Sequence, residues 1–121
     1  RAVIDVWLPA AEDLALYDGR LTLDWLRDDP ETGERIAKQT AARYDAATAT
    51  AVVTSLYDAW PAEGGTPRRV TRENELHFLG ATELVTMAGQ AGLSIETLAG
   101  DHAMTEFGPG SERVVLVCGL L

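Results

Sequence analysis

The sequence predicts an α+β chain: a small sheet built from strands at its two ends, an antiparallel β-meander inserted between them, and one main helix. Three observations carry this. Apolar, β-branched runs open and close the chain, AVIDVWL at residues 2–8 and RVVLVCGL at residues 113–120, as strands buried on both faces do. Between residues 21 and 79, strand-like segments alternate with clusters of turn residues. Within residues 81–91, apolar side chains recur at helical spacing.

Each element follows in order. Pro9 ends the first strand, and AAEDLALY at 10–17 makes a turn or two of helix before Asp18-Gly19 breaks it. In LTLDWL, residues 21–26, Leu21, Leu23 and Trp25 alternate with Thr22, Asp24 and Leu26. DDPETG at 28–33 has the proline and glycine of a tight reversal, so a hairpin follows, with 34–43 as its second arm. YDAATAT at 44–50 reverses the chain again, into the β-branched and aromatic segment 51–60. PAEGGTP at 61–67 is a loop, and 68–79 alternates as a fourth strand, giving a meander polar on one face.

Thr82 suits the N-cap of the helix and Glu83 its positive end, while Leu84, Met87, Ala88 and Ala91 form the apolar stripe. Gly92 suits the left-handed residue that stops it. Residues 93–99 are then a strand, 100–112 a long loop and 113–120 the final strand.

Composition restricts function. The 121 residues are 46% hydrophobic and 24% charged, the balance of one soluble globular domain spanning residues 1–121. No apolar run approaches the roughly 20 residues of a membrane helix. Nineteen acidic against 10 basic residues give a net charge of -9, which argues against a nucleic-acid partner, because phosphate binding needs clustered Lys and Arg. Cys118 is the single cysteine, so no intrachain disulfide forms and a reducing cytoplasm is the expected compartment. The sequence begins inside a strand without a methionine, and the expectation is a piece of a longer polypeptide.

Chemistry-bearing motifs are sparse. A dinucleotide fingerprint places its glycines between a strand and a helix start, where the dipole is positive; Gly89 and Gly92 lie at the helix end instead. Gly108-Pro109-Gly110 has Arg113 in place of the third glycine and leads into a strand. His77, His102 and Cys118 lack metal-ligand spacing, so no metal is expected. Ser55 and Ser111 lack a glycine-flanked elbow, and a thiol in a hydrophobic strand is inert packing. His77 and His102 are the side chains suited to proton transfer near neutrality; each is also readable as a partly exposed strand or loop histidine with a structural hydrogen bond.

RYDAATATAVVTSLYD, ELHFLGATELVTMAGQAGLSIETLAGDH and SERVVLVCGL together resemble the C-terminal part of class I S-adenosylmethionine-dependent methyltransferases of the small-molecule type, and VIDVWLP resembles that family's fifth strand. The resemblance implies an α+β fragment of an α/β methyltransferase fold. Residues 1–9 would hold strand five, 10–80 a short helix and the meander insertion, and 81–121 the helix, strand six and strand seven. Strand seven would lie antiparallel between the other two in a mixed sheet.

The family's N-terminal cofactor-binding half has no counterpart here, so the resemblance implies S-adenosylmethionine in the full-length enzyme and none bound by this chain alone. In the whole enzyme a substrate oxygen, nitrogen or carbon would attack the sulfonium methyl in line, a reaction governed by alignment and exclusion of water. Ligands of open α/β sheets bind beyond the strand carboxyl ends, which makes Trp7, Leu8 and Pro9 the expected cofactor neighbours. The meander would wall a small-molecule substrate with Tyr57, Trp60 and His77, the last as candidate base, and Asp101 and His102 would add to it. Two further readings stay open: a stand-alone, non-catalytic ligand-binding module, and a dimerisation module pairing through an exposed sheet edge into a homodimer.

Overall fold

The computed structural model describes residues 1–121 and contains β1 (Ala2–Trp7), α1 (Ala11–Ala15), β2 (Asp18–Asp28), β3 (Arg35–Asp45), β4 (Thr50–Trp60), β5 (Arg68–His77), α2 (Ala81–Gln90), β6 (Leu93–Ala99) and β7 (Arg113–Leu120). Contacts gather in two units, one formed by Arg1–Leu14 with Phe78–Leu121 and the other by Ala15–His77.

The first unit is a three-stranded sheet in the order β1-β7-β6 with α2 against it. Both pairings are antiparallel. The expected mixed character is therefore not present within this chain: β1 and β6 run parallel to one another but are separated by β7. One face of β7 presents Val114, Leu116 and Cys118, each fully buried beneath Leu84 and Ala88 of α2. Ile4, Val6, Leu8, Leu98 and Phe107 complete this cluster.

Register puts Ile4 and Val6 opposite Leu116 and Val114, on the helix side, and puts Val3, Asp5 and Trp7 on the other face. On β1 that second face is open, with Val3 66% exposed, so the expectation that this strand is buried on both faces does not hold, whereas Val115 of β7 on the same face is buried.

The start of α2 also differs from the reading above. Gly80 occupies the N-cap and no side chain caps it. The Thr82 carbonyl instead accepts a hydrogen bond from Thr86 Oγ1 at 2.9 Å. The buried stripe is Ala81, Leu84, Val85 and Ala88, and Met87 is exposed. Gly92, at φ +78°, ends the helix as expected.

The second unit is a four-stranded antiparallel sheet in the order β2-β3-β4-β5. A register shift between Leu23 and Trp25 changes the faces of β2. An extra residue in one strand turns the following side chains over. Trp25 therefore leaves Leu21 and Leu23 and faces with Tyr57, while Leu26 joins them. Asp24, the extra residue, accepts a hydrogen bond from Thr40 Oγ1 at 2.5 Å and lies 3.4 Å from Lys38 Nζ.

Apolar side chains consequently stand on both faces, with Leu21, Leu23, Leu26 and Val52 on one and Trp25, Tyr57 and Val70 on the other. The meander is thus not polar on one face. Asp18-Gly19, expected as a break, opens β2 through a second irregularity. Gly19 has φ +86° and the Arg43 guanidinium lies where its Cβ would be.

Candidate functional site

Trp7 at the end of β1, Arg113 at the start of β7 and the loop after β6 enclose a cleft of about 740 Å³. Trp7 forms one wall and meets Phe78 edge to face, with centroids 5.9 Å apart at 79°. Backbone bonds shape the opposite wall. The Phe107 N–H donates to the Leu98 carbonyl at 3.3 Å and the Gly100 N–H to the Thr105 carbonyl at 2.8 Å, folding residues 98–107 into a tight reversal. Met104 takes a left-handed φ of +63° in this turn. A Cβ on Gly100 would overlap Ser111 Oγ, the atom that accepts the Gly108 N–H at 3.0 Å. The absence of a side chain at Gly100 lets Ser111 approach the backbone and hold this bond. The Leu8 N–H donates to the Glu112 carbonyl at 2.8 Å and ties the end of the loop to the end of β1.

Asp101 is spent on the turn itself. Its Oδ1 accepts the Thr105 N–H at 3.0 Å, and this bond, ahead of other causes, holds the carboxyl below its ordinary range. His102, one residue later, reaches the strands. Its Nε2 lies 2.7 Å from Asp5 Oδ2 and 2.7 Å from Arg113 Nη1, and Arg113 Nε lies 3.4 Å from Asp5 Oδ1. Trp7 pairs with Arg113 and Asp5 with Val115, so Asp5 and Arg113 are diagonal neighbours on the open face. A histidine, a carboxylate and a guanidinium therefore meet at the rim of the cleft. Such a group can bind a polar ligand and exchange a proton with it.

The residues expected from the sequence divide. Trp7, Asp101 and His102 line the cleft. Leu8 does not, because it packs into the core beneath α2, and Pro9 is half-buried outside the lining. Tyr57, Trp60 and His77 lie in the meander and do not share a face. Tyr57 sits opposite Lys38 and Val70 and contacts Trp25 at 6.4 Å between centroids. Trp60 and His77 occupy the other face, at opposite ends of β4, since Arg35 pairs with Trp60 and His77 with Thr50. Ten residues of strand separate those ends by about 33 Å.

Sequence reasoning missed Asp5 and Arg113. The available signal was a lone charge inside AVIDVWL and another opening RVVLVCGL. No three His, Cys, Asp or Glu side chains are grouped to hold a metal, and no helix is long and apolar enough to cross a membrane.

No protein-family model and no curated protein matches the chain. Solved structures do. The CcbJ methyltransferase from Streptomyces caelestis superposes with a TM-score of 0.64 at 21% identity, covering 98% of this chain and 45% of that one. The sugar N-methyltransferase KedS8 from Streptoalloteichus gives 0.58 at 18%, covering 95% and 41%. CalS10, an amino pentose methyltransferase from Micromonospora echinaspora solved with S-adenosylmethionine, gives 0.55 at 16%, covering 94% and 42%. The fold is that of part of a methyltransferase. In this methyltransferase fold the chain spans less than half the length of the structures it matches.

Proposed function

We propose that the chain is the C-terminal, substrate-side portion of an S-adenosylmethionine-dependent methyltransferase that acts on a small molecule. The observation that carries this is the superposition of nearly the whole chain on less than half of a methyltransferase. In this reading β1, β6 and β7 are the fifth, sixth and seventh strands of the enzyme's sheet, and the cleft beyond the carboxyl end of β1 receives the acceptor molecule. Two matched enzymes act on a sugar and an amino pentose, which makes amino sugars the first acceptors to try.

The residues of this chain do not by themselves fit the cofactor. The glycine loop that cradles a nucleotide joins a strand to the start of a helix; here the segment between β5 and α2, residues 78–80, holds the single Gly80, and Gly108 and Gly110 lead into a strand instead. S-adenosylmethionine would be held by other residues of a longer polypeptide. This chain would orient the acceptor against Trp7, exclude water and manage its proton.

Calorimetry of S-adenosylmethionine against the full-length polypeptide and against the 121-residue chain tests the reading. Binding by the first and not the second is expected, followed by transfer of a labelled methyl group to an amino sugar. A full-length polypeptide that does not bind S-adenosylmethionine overturns it.

Pairing of the isolated chain into a homodimer belongs to the same proposal. β1 is an edge strand of its sheet and Val3 on it is exposed. Sedimentation as a monomer across a range of concentrations overturns that part.

A further inference from the structure

His102 Nε2 has two rival partners at the same distance. Asp5 Oδ2 and Arg113 Nη1 each lie 2.7 Å away. A carboxylate accepts and a guanidinium donates, so one ring nitrogen serves one of them at a time. With the proton on Nε2, the ring donates to Asp5 and the bare Nδ1 remains. With the proton on Nδ1, Nε2 accepts from Arg113 and its lone pair leaves an anionic oxygen facing it.

The two arrangements are not equivalent. When Nε2 carries the proton, Arg113 Nε keeps Asp5 Oδ1 at 3.4 Å, and Arg113 Nη1, nearer Nε2 at 2.7 Å than Nδ1 at 3.4 Å, lies beside the ring and leaves the Nδ1 lone pair unoccupied. When Nδ1 carries it, Asp5 Oδ2 has no donor on the ring. An imidazole N–H to a carboxylate is also charge-assisted, which strengthens the first arrangement. Asp5 and Arg113 come from adjacent paired strands, so the carboxylate is set by the sheet, while His102 comes from the loop and is 66% exposed.

We infer that Asp5 is a positioning residue that holds neutral His102 as its Nε2–H tautomer and leaves Nδ1 as the proton acceptor of the cleft. The use of that acceptor rests on the functional reading above: a hydroxyl or ammonium group of the bound molecule gives its proton to Nδ1. The X–H bond breaks with its electron pair remaining on X, an N–H bond forms, and Asp5 stabilises the imidazolium against the neighbouring Arg113 guanidinium. Nothing is oxidised or reduced. His77, the histidine first expected as the base, does not line the cleft.

Nitrogen-15 spectroscopy of the histidine rings in the chain tests this, with His77→Gln assigning the His102 signals. At alkaline pH the wild type is expected to show a pyrrole-like Nε2 bearing a low-field proton and a pyridine-like Nδ1. On acidification the large displacement should occur at Nδ1. Asp5→Leu should abolish the low-field proton and change the tautomer ratio at least twofold, whereas Arg113→Met should keep both. A pyrrole-like Nδ1 in the wild type, or a low-field proton that survives Asp5→Leu, overturns the inference. A full-length polypeptide that fails to bind S-adenosylmethionine would overturn the functional reading and leave this ring assignment standing.

Discussion

Tyr57 and His77 project from opposite faces of one four-stranded sheet. Tyr57 pairs with Val70 and Thr50 with His77, and along β4 odd and even positions point opposite ways. Seven residues also separate Thr50 from Tyr57, about 23 Å of strand. The two side chains cannot enclose one small molecule from this sheet. Tyr57→Ala and His77→Ala should therefore act independently. A double-mutant cycle on chemical denaturation is expected to give a coupling below about 0.5 kcal/mol. A larger coupling would show that the sheet does not separate them as the register requires.

Asp58 is a buried carboxylate of the meander, paired with the more exposed Arg69. Arg69 Nε and Nη2 lie 2.6 and 2.8 Å from the two carboxylate oxygens across β4 and β5, and Asp58 is 7% exposed. The Arg69 hydrogen bonds, against an opposing burial effect, hold the Asp58 carboxyl below its ordinary range. A lowered carboxyl pKa contributes stability above the unfolded value, and this is lost as pH falls through the folded one. Arg69→Met should lower the melting temperature at neutral pH, and the difference from wild type should shrink near pH 2 as the carboxyl is protonated. Arg35→Met, which removes an exposed pair with Asp28, should have a smaller effect that salt diminishes. Equal losses at both pH values for Arg69→Met would contradict the assignment.

Much of the fold could be read from the chain because its signals are local. The reversals at DDPETG and PAEGGTP, Gly92 after the helix, and the apolar runs 2–8 and 113–120 each act over a few residues. Facing was harder. The bulge at Asp24 leaves the alternation of LTLDWL unchanged in the sequence yet exchanges the sides of Trp25 and Leu26 relative to Leu21 and Leu23. Thr82 is an adequate cap by type, but the helix starts two residues too early for it to act. The cleft was partly legible through Trp7, Asp101 and His102. Asp5 and Arg113 were not, because their partnership with His102 spans 97 and 11 residues and depends on strand pairing that no local pattern encodes.

Gly100 fixes the wall of the cleft. A methyl group there overlaps Ser111 Oγ, which must then release the Gly108 N–H. Gly100→Ala should destabilise the chain by about 1–3 kcal/mol, the cost of an unsatisfied, partly buried donor. Ser111→Ala should cost a similar amount by removing the same bond. The double variant should be less destabilised than the sum, because both changes break one hydrogen bond. Full additivity in denaturant titrations would show that the two residues do not share that contact.

Cys118 reports on the sheet beneath α2. Its side chain is fully buried beside Val114 and Leu116, with Leu84 and Ala88 over it. A thiol so enclosed reacts with a disulfide reagent when the structure opens, and not before. Leu116→Ala removes a large side chain from the same layer and should cost about 2–5 kcal/mol. Modification of Cys118 should then quicken by roughly the factor that this loss implies, since each 1.4 kcal/mol is tenfold in the population of the open form. Met87→Ala, on the exposed side of α2, should leave that rate nearly unchanged. Fast modification in the wild type, or equal rates in the two variants, would mean that α2 does not cover β7 in solution.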